Sequence, residues 1–160
     1  MPATVPQPLR DAIYNYPPAM AEAMLQLFAQ GLPFWLALPF AFGTADAAAL
    51  FTVPSNGRLH IHRAFWEIAT GFTGGASSAI GLSSDDTSAN TKGDILGGAS
   101  GDVAATLVAG IKGGTLGAKF GSNGVIVLAS GKEIRFDRIT SAFTAGVGIA
   151  HVQCSFLPTS

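Results

Sequence analysis

"RLHIHRAFWEIATGFTGG", residues 58–75, is the stretch that decides the fold. Leu59 and Ile61 alternate with polar neighbours, which is the two-residue period of a half-buried strand. Past Arg63 the apolar set moves to the other parity, at Ala64, Trp66 and Ile68. A β-bulge near Arg63 accommodates such a switch; a strand buried on both faces at that end is the alternative. The strand runs out in Phe72-Thr-Gly-Gly, and "ITSAFTAG", residues 139–146, repeats that ending. Aligned on Phe72 and Phe143, both copies read Ile, three residues, Phe-Thr, one residue, Gly. Neither copy holds a recognisable catalytic group.

Outward from this stretch, alternation and turn residues predict strands over 48–53, 58–69, 77–82, 116–120, 124–129, 133–138 and 147–156. "PSNGR" at 54–58 reads as a hairpin turn, with Asn-Gly supplying positive φ, and "GSNGV" at 121–125 repeats that chemistry. "ASGKE" at 129–133 reads as another tight turn. Residues 103–111 fit either a strand or a short helix capped by Asp102. Many short strands between Gly-rich turns predict an all-β fold, an antiparallel β-sandwich, jelly roll or barrel. "GLSSDDTSANTKGD", 81–94, is polar and aperiodic, and reads as an exposed loop.

The front of the chain differs. Residues 1–18 hold Pro2, Pro6, Pro8, Pro17 and Pro18, which predicts an extended arm, because proline has no N–H for a ladder. Pro18 then suits a helix start and Gly31 a stop. Met20, Met24, Leu27 and Phe28 share one face of that short helix, which either docks on a neighbour or lids its own core. "PFWLALPFAF" alternates, and Pro39 forbids a central position, so an edge strand or a segment crossing a partner follows. The expected division is therefore an arm and helix over 1–45 and a β-sandwich over 46–160.

Composition narrows function. Of 160 residues, 48% are hydrophobic and 12% charged, about half the roughly 25% of ordinary soluble domains. So little charge predicts a surface largely covered by other subunits. Net charge is −1 without a basic cluster, which argues against nucleic acid. Cys154 is alone, so no intrachain disulfide and no Cys-based zinc site is expected, in keeping with a reducing compartment. No signal peptide is recognised at the start. The uncharged stretch 23–45 contains Glu-free but proline-broken sequence, at Pro33 and Pro39, and is not expected to span a membrane.

Chemistry is sparse. His60 and His62 stand two apart on a strand and His151 lies on another; three imidazoles would suit a catalytic zinc, while surface histidines are the blander reading. Asp85, Asp86, Asn90 and Asp94 offer oxygens, but not at EF-hand spacing. The glycine-rich 113–124 is not a phosphate loop, no Gly-x-Ser-x-Gly occurs, and no serine has an evident base. Glu67 and Arg138 are a candidate cross-strand pair, and Trp66 a candidate exposed aromatic for a glycan. No catalytic residue, metal or cofactor is expected.

The segments "VPSNG", "AFWEIATGFTGG", "ASGKEIRFD" and "ITSAFTAGVGIAHV" together resemble a family of small tailed-phage virion proteins, the capsid decoration or cement proteins. The resemblance covers residues 44–156 and leaves 1–45 unmatched. It implies a jelly-roll-like sandwich in which Phe72 and Phe143 cap one end of the core. It further implies a non-enzymatic homotrimer, made in the host cytoplasm, bound to the major capsid protein on the shell exterior. Candidate contact residues are then Pro6, Pro8, Tyr14, Tyr16, Met20, Met24, Phe28, Phe34 and Trp35, since aromatics dominate interface energetics. Another virion component (connector, tail or fibre) and a His-based metal-binding sandwich are the alternatives.

Overall fold

A computed structural model describes residues 31–55, 57–75, 77–85, 92–98, 102–120, 124–140 and 142–158. The expected arm and the helix from Pro18 lie outside these, as do Pro6, Pro8, Tyr14, Tyr16, Met20, Met24 and Phe28. The strands are β1 Phe34–Ala41, β2 Ala48–Thr52, β3 Gly57–Gly74, β4 Ala79–Ser84, β5 Leu96–Gly97, β6 Gly110–Lys112, β7 Ile126–Leu128, β8 Glu133–Ile139 and β9 Phe143–Pro158. One sheet runs β1-β9-β3-β6, with β7 also on β3; the other runs β2-β8-β4-β5. All pairings are antiparallel. The partners nest: β1 with β9, β2 with β8, β3 with β6 and β7, β4 with β5. A long hairpin nested this way and rolled into two facing sheets is a jelly roll.

β3 carries the bulge that its parity switch predicts. Its register against β9 slips between Ile61 and Arg63, and Leu59, Ile61, Ala64, Trp66 and Ile68 all face inward despite the change of parity. The doubled phrase finds its explanation at the far end of the same pair. Thr73 lies opposite Ala145 and Gly74 opposite Phe143, so the two copies run alongside each other. Phe72 and Phe143 meet edge to face at 5.0 Å, both buried, and Thr73 and Thr144 share a hydroxyl hydrogen bond at 2.8 Å. Gly146 has φ +136°, and a Cβ there would lie 2.4 Å from the Phe72 ring. Glycine is needed at that position on both counts.

Phe40 ties the sheets together. Its ring contacts Trp66 at 5.3 Å, Phe72 at 5.7 Å and, across the sandwich, Phe136 of β8 at 4.9 Å. Such pairs contribute about 0.5–1.5 kcal/mol each beyond their burial. Phe34, Leu36 and Leu38 also face this core, so β1 is part of the sandwich and not of an appendage. This moves the expected boundary at residue 45 to before Phe34. β1 is an edge strand, as Pro39 requires. The Phe42 N–H bonds to Gly146 O at 2.8 Å, so the even residues of β1 point their amides at β9 and the odd ones point away. Pro39 thus lacks its N–H on the open side, and Thr44 Oγ1 caps the Ala41 N–H. Both features blunt the edge.

Four local expectations fail for reasons of topology. "PSNGR" does not close a hairpin: it carries the chain from β2 in one sheet to β3 in the other. Its neighbour 129–132 does the same from β7 to β8, and the two bond to each other through Val53. The region around "GSNGV" joins a 3-10 turn at Ala118–Phe120 to β7, and the expected strand over 116–120 is reduced to an isolated bridge at Leu116. Residues 103–111 form neither a helix nor one strand, but turns leading into β6. The polar stretch 81–94 is in part β4, wholly buried, and its end at Asp94 is buried too.

Candidate docking surface

The two sheets differ on their outer faces. On the β8-β4 side, residues 92–94 fold back over β4 before β5 joins its edge. A Cβ on Gly81 would sit 2.9 Å from the Gly93 backbone, so the covering segment lies in direct contact. Buried carboxylates pin it. Asp137 accepts from Gly93 N–H and Ser83 Oγ–H, both at 2.9 Å. Asp94 accepts from Ser84 N–H at 2.8 Å and lies 4.0 Å from the Lys119 ammonium. Around the rim Lys92 pairs with Asp46 at 2.5 Å, and Arg135 with Glu133 at 2.7 Å and Asp85 at 3.4 Å. The covering segment and these ion pairs leave little of this face around Gly81 open.

The face of β1-β9-β3-β6 is bare among the described residues. Cross-strand register places Trp35, Gln153 and Arg63 in one row, Ala37, His151 and Phe65 in the next, and Pro39, Ile149, Glu67 and Ile111 in a third. Trp35 meets Phe65 edge to face at 5.4 Å, and Phe65 stacks on His151 at 4.8 Å. His151 Nε2 reaches Glu67 Oε2 at 2.6 Å. Trp35 remains 38% exposed and Ile111 74%. Val147, Leu157 and Val127 extend the apolar surface along β9 and β7. Of the expected Phe34–Trp35 pair, Phe34 points inward at 4% exposure, so Trp35 alone offers a surface. Phe65 was not singled out from sequence; its place one residue before buried Trp66, past the bulge, is the signal that finds it.

The histidines do not converge. His62 Nε2 and Ser155 Oγ are 2.9 Å apart, while His151 is engaged four residues away along β9. Burial, then the neighbouring His62 and Arg58, hold His60 below the usual histidine range. Among the described residues no group of three His, Cys, Asp or Glu side chains is placed to hold a metal. Ser155 does have a nearby base, contrary to the sequence expectation, but it is buried and the described residues give His62 no carboxylate to orient it. Glu67 is not paired with Arg138, which lies in the other sheet, and Trp66 is fully buried, which removes the glycan candidate.

Asp102 caps no helix. It is buried and accepts from Trp66 Nε1–H at 3.1 Å and Thr115 N–H at 3.0 Å. Burial pushes the carboxyls of Asp94, Asp102 and Asp137 above the usual range, against the pull of their hydrogen bonds. A cleft of about 320 Å³ lies between residues 102–107 and 111–115. Its one carboxyl, Asp102, has both oxygens engaged, and the Lys112 ammonium is the other ionisable group of its lining. No described helix is long and apolar enough to cross a membrane.

No protein-family model matches the chain, and no curated protein matches it by sequence. Its fold is similar to that of a chain in the acidic stable capsid structure of Helicobacter pylori bacteriophage KHP30. The TM-score is 0.52 at 18% identity, over 79% of this chain and 89% of that one. The likeness shows the shared all-β architecture, in a chain of comparable length.

Proposed function

We propose that this chain is a non-enzymatic structural protein of a phage particle, bound to the outer surface of the capsid and stabilising it as a decoration protein. The observation that carries this reading is the shared fold with a chain of a phage capsid structure, matched over most of both chains. The outer face of one sheet and the composition support it. Among the described residues one sheet leaves its outer face uncovered, with Trp35 and Ile111 exposed on it, and the chain's low content of charged residues fits a surface covered by partners. The mechanism is linkage: a protein that binds only the assembled shell stabilises it by mass action, and many copies multiply the effect.

In this reading residues 1–30 and the exposed Trp35 contact the major capsid protein or a neighbouring copy, with Pro6, Pro8, Tyr14, Tyr16, Met20, Met24 and Phe28 as contact residues. A trimer is the assembly that the family resemblance implies. Phe34 leaves the contact set because it fills the core. The test uses particles from the genome that carries this gene, made with and without it. Particles lacking the chain should open at a lower temperature, and purified chain should restore the loss. Equal stability of the two particles, with no chain bound on addition, overturns the reading. A single ring at one vertex would assign the connector or tail role instead.

A further inference from the structure

We infer that the outer face of the β1-β9-β3-β6 sheet is a seam between copies of this chain, in which the face of one copy packs on the same face of another. This goes beyond the particle reading, does not require it, and puts a two-fold pair in place of the trimer that the family resemblance implies. The size of the face sets the scale. Four residue rows along the three lanes of β1, β9 and β3, at strand spacings of about 4.8 Å and rises of about 3.4 Å, give roughly 400 Å², to which Ile111 of β6 adds. That is about half of the ~800 Å² each partner contributes to a stable interface, and apolar side chains share it with Arg63, Glu67, His151 and Gln153.

Charge selects the occupant. Arg63 and Glu67 lie on β3 at equal distances either side of Phe65, on the same outer face. Arg63 is exposed and forms no ion pair among the described residues, and Glu67 is engaged only by His151. A second copy laid antiparallel over the face, centred on Phe65, brings its Glu67 over Arg63 and its Arg63 over Glu67. Phe65 then meets its own counterpart, and Trp35, in the row of Arg63, meets Pro39 of the other copy. A partner surface of a single sign would leave one of the two charges opposed. The face is therefore complementary to itself, which is the condition for a two-fold contact. The blunted edge at Pro39 directs association to this face and away from strand addition.

The test is light scattering of the full-length chain across a concentration series. Wild type should show the mass of two chains. F65D should fall to one chain while its melting transition stays cooperative, since Phe65 is half-exposed. R63E, at an exposed position, should weaken association on the order of tenfold, and R63E/E67R should recover it, because the swapped charges meet again across the seam. A wild type of single-chain mass at every concentration overturns the inference. So does an assembly that F65D and R63E leave unchanged. If the chain self-associates as described but is absent from virions, the particle reading fails and the seam stands. If it coats particles with F65D as well as with wild type, the seam fails and the particle reading stands.

Discussion

Gly146→Ala puts the doubled phrase under direct test. The backbone there has φ +136°, where a side chain is strained by about 1–3 kcal/mol. The added methyl would also sit 2.4 Å from Cδ1 and Cγ of Phe72. That ring has little freedom to yield, because Phe143 abuts it at 5.0 Å and Phe40 at 5.7 Å. Overpacking of this kind costs about 1–3 kcal/mol. The sum is about 2–6 kcal/mol, a large share of the ~5–15 kcal/mol a domain holds. Urea unfolding of the full chain, read by tryptophan fluorescence from buried Trp66, measures it. The partner variant Phe72→Ala should cost about 3–5 kcal/mol alone. In the double variant the methyl meets empty space, so the combined loss should fall short of the sum by about 1–3 kcal/mol. A loss below 1 kcal/mol for Gly146→Ala, or strict additivity with Phe72→Ala, would refute the packing described at that end of the sandwich.

Acid should spare this fold more than most. The carboxyls of Asp94, Asp102 and Asp137 are raised above the 3.8 of the unfolded chain, so between 3.8 and their folded values the native state holds more protons. Their contribution to stability therefore rises as pH falls through that window; D137N should flatten the rise, and a D137N profile matching wild type would count against it. His60 acts the other way: its folded value lies below 6.5, so it favours the native state above 6.5 and that benefit is lost as pH falls through the lowered value. Burial raises the Cys154 thiol, so a thiol reagent should label it only on unfolding; rapid labelling of native protein would contradict its placement. Deleting residues 1–30 should leave the melting transition in place, whereas deletion through residue 42 removes β1 with four core side chains and should abolish folding. Equal melting curves for the two truncations would show that β1 is dispensable.

Local periodicity made much of β3 and β9 legible. The parity switch at Arg63 located a bulge, and Pro39 placed β1 at an edge, because both are properties of one strand read along its own length. Pairings are another matter. Asn-Gly at 56–57 looked like a hairpin because turn chemistry does not say which sheet the next strand joins. In a jelly roll most consecutive strands change sheet, so turn signals that usually mean hairpins mark crossings. Asp94 looked like a solvated loop polar and Asp102 like a helix cap, and nothing in the sequence around Asp137 marked it as buried. Their partners are backbone N–H groups brought close by topology, such as that of Gly93 beside Asp137, and nothing in the adjacent sequence announces them. For the docking face, Trp35 was visible as an aromatic on an edge strand. Phe65 and the Arg63–Glu67 spacing acquired meaning only when register set them in rows with β1 and β9.

A density map of intact particles from the genome carrying this gene tests the structural role most directly. A decoration role predicts many copies of this jelly roll distributed over the outer surface of the shell, with residues 1–30 running to a neighbouring subunit. Particles whose shells carry no such density contradict it.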